Sequence, residues 1–207
     1  MSNRAGFAYG SLAVLAVLIG GSAIFGIVGR PTDDSCGGAR LAGESADIGG
    51  PFALVNGDGE TVTDAEVISK PSLVYFGYTF CPDVCPFDMV RNASAVDLLS
   101  AMKLDVTPVF ITVDPERDTP DVMAEYADAF HPGMVGLSGS PEQVEAAARE
   151  YRVYFRRHES EDDFYLVDHS TFTYLAMPES GVVDYFRRDD EAEELARRTA
   201  CQIRRHG

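Results

Sequence analysis

Two cysteines separated by three residues are the part of this sequence best suited to chemistry. Cys81 and Cys85 follow a β-branched and aromatic segment, Ser72–Thr79, and precede a segment whose apolar residues recur at helical spacing. Where a strand gives way to a helix, free backbone N–H groups and the positive end of the helix dipole stabilise a thiolate. Two thiolates at close range can bind a soft ion such as Cu(I), and they can also close into a disulfide.

A proline follows each of these cysteines, and the residue before a proline is kept out of ordinary helical geometry. We therefore expect the segment 81–86 to be a stiff loop rather than part of a regular helix. A purely structural disulfide between Cys81 and Cys85 is the plainer alternative. A bridge that closes so small a loop removes little chain entropy, so the spacing favours a redox or metal role.

A copper site with two thiolates needs a third donor, and the chain has four histidines. His131, His158 and His206 have ordinary explanations as a helix cap, a residue of a charged surface stretch and a residue of the C-terminal tail. His169 differs, because it follows an apolar strand and Asp168, just before a predicted hairpin. From the residues alone, a structural role and a functional role are equally favoured for His169.

Acidic residues near the cysteines and after the next strand are candidate supporting groups. Asp83 lies between the cysteines, where it either tunes the local charge or is a solvated turn residue. Asp114 ends a buried strand, and a turn role and support of the site are equally favoured for it. For Asp118 we favour a role in the turn, where either Asp118 or Thr119 caps the next helix. Asp168 could orient His169, although successive strand residues point to opposite faces.

Strands and helices alternate from about residue 51 onward, which predicts an α/β domain. A strand that leads to the cysteines and a helix, followed by a late hairpin and a terminal helix, is the order of the thioredoxin-like fold, a central mixed sheet flanked by helices. We predict strands at 52–55, 61–63, 72–79, 109–113, 134–137, 152–157, 164–168, 171–177 and 182–186, and helices at 87–102, 120–130, 141–151 and 190–204. The aromatic residues before the cysteines are predicted to be sheet core: Tyr75, Phe76, Tyr78 and Phe80.

The N-terminal segment has a different character from the rest of the chain. Phe7–Val28 contains 22 residues without a charge, and a helix of that length can cross a bilayer. A cleaved signal peptide is the alternative, but its apolar core is usually only about 7–15 residues long. We predict residues 1–6 as a cytoplasmic N-terminus, 7–28 as one transmembrane helix, 29–47 as a linker and 48–207 as the folded domain.

The flanks of this helix indicate where the domain lies. The positive-inside rule favours a cytoplasmic N-terminus, and nothing before the helix resembles an organelle transit peptide. We therefore expect a single-pass protein of a bacterial inner membrane with its domain in the periplasm. Cys36 and Cys201 could bridge each other in such an oxidising compartment or remain free, and the sequence leaves this open.

The overall composition excludes one class of function. Acidic residues number 33 and basic residues 17, which gives a net charge of −16. Such a surface repels phosphate backbones, so we expect no nucleic-acid partner. The apolar fraction of 45% is ordinary for a globular protein.

Three segments of the chain, taken together, resemble the SCO/SenC family. They are YFGYTFCPDVCP at 75–86, FITVDPERDTP at 110–120 and YLVDHSTFTYLAMPESG at 165–181, and the similarity extends over about residues 48–200. The resemblance implies a thioredoxin fold and one copper ion, Cu(I) with Cu(II) as a second state, held by Cys81, Cys85 and His169. It also implies an assembly factor, or metallochaperone, for the dinuclear copper centre of cytochrome c oxidase subunit II. A copper-donating chaperone and a thiol reductant are its other expected partners.

Two other functions are weighed against this one. A thiol–disulfide oxidoreductase would use Cys81 and Cys85 to reduce the subunit II cysteines, but thioredoxin-type enzymes have two residues between their cysteines and this chain has three. A peroxidase of the peroxiredoxin kind shares the fold, but it needs a lone reactive cysteine in a threonine-bearing motif that the flanking sequence does not resemble. We therefore expect a metal-binding protein rather than a turnover enzyme, with the oxidoreductase as the alternative.

Overall fold

The computed structural model describes residues 36–37, 48–158 and 164–206. The predicted cytoplasmic N-terminus, the predicted transmembrane helix and most of the predicted linker lie outside these residues. In the described part of the chain, no helix is both long and apolar enough to cross a bilayer.

A mixed sheet with the strand order β5-β4-β3-β8-β9 forms the centre of the described domain. Its first three strands are parallel, and the last two run antiparallel to their neighbours. In chain order the elements are β1 (Ala53–Val55), β2 (Thr61–Thr63), α1 (Asp64–Val67), β3 (Ser72–Gly77), α2 (Val84–Ala101), β4 (Thr107–Thr112), α3 (Pro120–Phe130), β5 (Val135–Leu137), α4 (Pro141–Glu150), β6 (Phe155–Arg157), β7 (Val167–His169), β8 (Thr173–Met177), β9 (Gly181–Phe186) and α5 (Ala192–His206). Every residue of β3, β4 and β8 is buried, as expected for strands that are covered on both faces.

Helices cover both faces of this sheet. Tyr75 of β3 stacks on Phe110 of β4, with 6.1 Å between the ring centroids, and its hydroxyl donates to Asp88 of α2 at 2.8 Å. The next residue, Phe76, points to the other face, where its ring packs at 5.2 Å against Tyr151 at the end of α4. The predicted α/β architecture, a central mixed sheet flanked by helices in the thioredoxin-like order, is therefore confirmed.

The start of α2 differs from the prediction, and the difference matters for the site. The helix begins at Val84 rather than at residue 87, so Cys85 and Pro86 lie in its first turn. A proline is tolerated there, because the first N–H groups of a helix have no partner within it. The expectation that Cys85 lies on a loop outside the helix is therefore wrong, and only Cys81 lies on the loop.

Three smaller predictions are also corrected. His169 is the last residue of β7 rather than a residue after the strand, and His206 ends α5 rather than lying in a tail. Phe80 is 52% exposed and does not belong to the sheet core, whereas Tyr75, Phe76 and Tyr78 are buried as predicted. The chain leaves the sheet after Gly77, so alternation between core and surface no longer governs the side chains that follow.

A disulfide joins Cys36 to Cys201 on α5, across a sequence separation of 165 residues and with 5.4 Å between the Cα atoms. Arg197 of α5 adds a hydrogen bond from Nη2 to the Cys36 carbonyl oxygen at 3.3 Å. The start of the described chain is thereby fastened to its last helix, which answers the question of pairing that the sequence left open.

Candidate metal centre

The structure brings Cys81, Cys85 and His169 together at the end of β3. Their candidate ligand atoms, two sulfurs and one ring nitrogen, all lie within 4.8 Å of one another. The Cys85 Sγ atom lies 3.4 Å from His169 Nε2. Among the described residues, this is the one group of His, Cys, Asp or Glu side chains with such a geometry.

The thiol of Cys81 is arranged to ionise easily. Its sulfur lies in front of the first turn of α2, where the Cys85 backbone N–H donates to it at 3.4 Å. The Cys85 side chain, the His169 side chain and the backbone N–H groups of Cys85 and Asp83 stabilise the thiolate against the opposing effect of burial, and together they lower the pKa of Cys81 to about 3. The backbone N–H groups at this strand-to-helix junction contribute as the sequence predicted, but the Cys85 side chain contributes most.

The thiol of Cys85 has the opposite tendency. Its side chain is completely buried. Hydrogen bonding of the thiol to the Cys81 sulfur, the burial and the negative charge of the Cys81 thiolate all raise the pKa of Cys85. Without metal, the two pKa shifts therefore favour a thiolate at Cys81 and a thiol at Cys85.

A glycine makes room for the Cys85 sulfur. A Cβ atom at Gly77 would lie 2.7 Å from Cys85 Sγ and 2.8 Å from the Phe110 ring, closer than such atoms approach in proteins. Gly77 was not among the predicted site residues, because the close approach arises between β3 and α2 only after the chain folds. A glycine in the last position of a buried strand is the one local signal that could have indicated it.

The ring of His169 is held in a defined orientation. Its Nδ1 lies 2.9 Å from the Ser170 carbonyl oxygen, and because a carbonyl can only accept, Nδ1 carries the proton. In the neutral ring, Nε2 then keeps its lone pair and faces the sulfurs. The rings of Tyr75 and Tyr78 pack edgewise against the imidazole, with centroid distances of 6.1 and 5.8 Å. Both tyrosines were predicted only as core residues.

The candidate supporting residues separate into two kinds. Asp114 is buried and accepts hydrogen bonds from the Tyr165 hydroxyl at 2.7 Å and from Arg117 Nε at 2.5 Å. It therefore supports the segment before His169 rather than a ligand itself. Asp83 is exposed at the N-terminus of α2, and its side chain makes no capping hydrogen bond. The contribution of Asp83 to the site comes from its backbone N–H.

Asp118 lies in the turn before α3, and Thr119, the other predicted cap, is the N-cap of that helix. The Asp118 carboxylate is completely buried and accepts hydrogen bonds from the Thr79 N–H at 2.9 Å, the Thr79 hydroxyl at 2.5 Å and the Thr112 hydroxyl at 2.7 Å. It thus fixes the start of the cysteine loop, which we define as residues 78–83, to the end of β4.

The other three histidines lie away from the cluster. His131 is the C-cap of α3, and its Nδ1 accepts from the Gly133 N–H at 2.9 Å. His158 pairs with Asp168 at 2.9 Å on the surface, and His206 ends α5. Because Asp168 faces His158 and Arg156, it points away from the site, as strand alternation predicted.

This set of donors suits a soft metal ion. Two sulfurs and one imidazole nitrogen match the preference of Cu(I), whereas hard ions such as Mg²⁺ and Ca²⁺ need oxygen ligands. The lowered pKa of Cys81 favours its thiolate, and the Nε2 atom of His169 lies 3.4 Å from the Cys85 sulfur. The residues therefore fit a copper ion without a change of fold.

Comparisons with known proteins agree with this chemistry. The SCO1/SenC family model matches residues 41–204. The protein SenC of Rhodobacter capsulatus is 49% identical over 195 residues, which cover 94% of this chain and 88% of that protein. The crystal structure of Arabidopsis thaliana ScoI with copper bound has a TM-score of 0.73 and 44% identity, and the match covers 77% of this chain and 99% of that one. The structure of Bradyrhizobium japonicum ScoI with copper bound has a TM-score of 0.67 and 37% identity, with the same coverage of 77% and 99%.

Proposed function

Because this chain belongs to the SCO1/SenC family, we propose that it is a copper-binding assembly factor that holds one copper ion through Cys81, Cys85 and His169. The observation that carries this proposal is the convergence of the two sulfurs and the ring nitrogen within 4.8 Å. Two relatives, 44% and 37% identical, have structures with copper bound, which favours copper over other soft ions.

The metal-free site is prepared for loading by its own residues. The Cys81 thiolate is the first donor, since its pKa is lowered to about 3. The Cys85 thiol must release its proton before its sulfur can act as a full ligand, because the thiolate is the form that binds metals. His169 completes the set with the lone pair on Nε2, while the Ser170 carbonyl fixes the ring.

The proposed recipient of the copper is the dinuclear copper centre of cytochrome c oxidase subunit II, and the resemblance of the three sequence segments supports this choice. A copper-donating chaperone and a thiol reductant complete the proposed partners. Phe80, one residue before Cys81, and Phe87, two residues after Cys85, are 52% and 69% exposed. Exposed aromatic side chains beside the ligands suit transient contact with a protein partner.

We also propose that residues 7–28 anchor the chain in a bacterial inner membrane, with the domain in the periplasm. The support is the run of 22 uncharged residues and the charge distribution on its two flanks. Carbonate extraction of membranes and protease accessibility in spheroplasts test the anchor and its orientation. Release of the full-length chain by carbonate would contradict the anchor.

Anaerobic loading of the reduced domain with Cu(I) tests the copper site. We expect one tightly bound ion, and an affinity that falls by at least about a hundredfold in His169→Ala, since this change removes a ligand rather than a residue behind one. His158→Ala is the matched control. His158 directly follows β6, in the same hairpin as His169, but its side chain pairs only with the exposed Asp168. Equal affinity in the two variants would remove His169 from the site.

A thiol–disulfide oxidoreductase is the second candidate function, and the unequal ionisation of the cysteines favours it. A thiolate at Cys81 beside a buried thiol at Cys85 is also the arrangement of an attacking and a resolving cysteine. Thiol exchange with an oxidised peptide that carries the two cysteines of subunit II distinguishes the functions. Exchange that continues at the wild-type rate in His169→Ala would favour the oxidoreductase.

A further inference from the structure

The hairpin formed by β6 and β7 carries His169 but lies outside the five-stranded sheet. Within the described ranges its strands pair with each other and with no other strand, with Phe155 opposite His169. The hairpin is held to the central sheet at its base, because β7 ends at His169 and β8 of the sheet begins only four residues later, at Thr173. Its other end continues from α4, where the Val153 N–H donates to the Ala148 carbonyl oxygen at 2.8 Å. Between these two ends, the position of the hairpin over the thiols depends on contacts made by side chains, among them the buried Tyr165 and Val167.

Three side chains, which we call the Arg117 cluster, supply these contacts: Asp114, Arg117 and Tyr165. Arg117 donates from Nε to Asp114 at 2.5 Å and from Nη1 to the Tyr165 carbonyl oxygen at 3.0 Å. The Tyr165 hydroxyl closes the ring of contacts by donating to Asp114 at 2.7 Å. The guanidinium carbon also lies 3.6 Å from the centroid of the Tyr165 ring. Asp114 and Arg117 are 5% and 14% exposed, so this ion pair is shielded from water.

Arg117 also reaches the cysteine loop. Its guanidinium carbon lies 4.8 Å from the centroid of the Phe80 ring, and Phe80 directly precedes Cys81. Two residues after Tyr165, the Val167 N–H donates at 3.3 Å to the hydroxyl of Tyr78, whose ring packs against the imidazole. One guanidinium therefore contacts the loop after β4, the cysteine loop and the hairpin.

From these contacts we propose that Arg117 is a positioning residue for the third ligand: it holds the β6–β7 hairpin against the cysteine loop and so keeps the His169 imidazole beside Cys85. The inference rests on the proposed function, since it takes His169 as a copper ligand. A guanidinium is required because its planar fork bonds a carboxylate and a carbonyl at once while it stacks on a ring. An ammonium group has neither the fork nor the plane.

Arg157 provides a matched control on the opposite side of the same ring. Its guanidinium carbon lies 3.7 Å from the Tyr165 centroid, and it pairs with Glu116. The Arg157 side chain is 53% exposed, and such pairs contribute little. Arg157→Met therefore removes a cation from the ring without touching Asp114 or Phe80.

The test uses Arg117→Lys, which keeps the positive charge beside the buried Asp114 and so preserves the fold. In the metal-free protein, we expect amide hydrogen exchange in 155–157 and 165–169 to become roughly tenfold faster, while exchange in β3 is unchanged. We expect the Cu(I) affinity to fall about tenfold, in the range found when residues behind a ligand are lost. In the electron paramagnetic resonance spectrum of the Cu(II) form, the hyperfine coupling from the His169 nitrogen should weaken as well. Arg157→Met should match the wild type within about twofold in all three measurements.

Each outcome decides between the two proposals. Wild-type exchange and wild-type affinity in Arg117→Lys would overturn the positioning role, provided that His169→Ala still weakens copper binding. Faster exchange with unchanged affinity and an unchanged Cu(II) spectrum would also overturn it, because the hairpin would then be held without effect on the imidazole. Equal copper affinity in His169→Ala and the wild type would instead remove the proposed ligand, which is a failure of the proposed function.

Discussion

At the residue scale, hydrogen bonding makes two chemically identical cysteines different. Cys81 accepts hydrogen bonds from the Cys85 thiol and from backbone N–H groups at the start of α2, whereas Cys85 donates its proton and is buried. The charged thiolate is therefore stabilised at Cys81, and the neutral thiol is stabilised at Cys85. The consequence is a site that already holds one negative charge before a cation arrives.

This difference predicts how the reactivity of each thiol depends on pH. Because the pKa of Cys81 is lowered to about 3, its thiolate persists as the pH falls, and its alkylation by iodoacetamide should be nearly constant from pH 8 to pH 5. An ordinary thiol, with a pKa of about 8.5, would lose nearly a factor of ten for each pH unit over the same range. Rates at single sites, followed by mass spectrometry of peptides, measure this dependence. Cys85, with its raised pKa, should remain unmodified.

Cys85→Ala is the control for this pH profile. It removes the hydrogen bond that contributes most to the low pKa of Cys81, so the midpoint of alkylation should move to higher pH. If the alkylation rate of Cys81 in the wild type instead increased steeply between pH 8 and pH 9, Cys81 would be an ordinary thiol.

Residue types and spacing were sufficient to predict the two cysteines and to single out His169 among the histidines. They were not sufficient for Gly77 or Asp118. The reason is physical: Gly77 is required by a sulfur 2.7 Å from its missing Cβ, and Asp118 by hydroxyl and N–H donors on two other segments. These partners become neighbours only through long-range packing, and the local pattern around Asp118 matched a helix cap equally well.

At the element scale, the loop after β4 fastens two separate parts of the site to the central sheet. Through Asp114 and Arg117 it holds the β6–β7 hairpin, and through Asp118 it holds the cysteine loop at Thr79. The periodicity of apolar residues predicted the strands and helices well, because it reflects burial on one face or two. It could not predict that Cys85 belongs to α2, since the prolines that flank the cysteines are compatible with both a loop and a first helical turn.

The anchoring of the cysteine loop yields a prediction for Asp118. Asp118→Ala leaves the Thr79 N–H and the Thr112 hydroxyl without their acceptor in a buried place, so we expect a loss of about 3 kcal/mol in the free energy of unfolding. Asp118→Asn should cost less, because its amide oxygen can still accept. Urea unfolding measures both changes. We also expect faster hydrogen exchange at the Thr79 amide in Asp118→Ala.

Asp121, on the first turn of α3, is the matched control for this change. Its carboxylate accepts from the Thr119 hydroxyl at 2.5 Å but is fully exposed, so Asp121→Ala should lower the free energy of unfolding far less than Asp118→Ala. If Asp118→Ala were as mild as Asp121→Ala, the hydrogen bonds of Asp118 to the cysteine loop would not be holding it.

At the scale of the whole molecule, the site and the disulfide belong to different parts of the core. One cluster of buried residues contains Cys81 and Cys85 together with the site end of β3. A second cluster contains Leu99 near the end of α2 and Ala200 of α5, beside the bridged Cys201. Helix α2 joins the two clusters, because its first turn carries Cys85 and its last turns pack against α5.

This separation predicts that the disulfide stabilises the domain without tuning the copper site. The bridge between Cys36 and Cys201 spans 165 residues, so removing both sulfurs with Cys36→Ser and Cys201→Ser should lower the free energy of unfolding by about 2–4 kcal/mol, with the copper affinity unchanged within about twofold. Urea unfolding and Cu(I) titration of the same double variant measure the two quantities, and replacing both cysteines avoids a stray thiol that would compete for the metal. A large loss of copper affinity with little change in stability would contradict the separation, since it would mean that strain at α5 reaches Cys85 through α2.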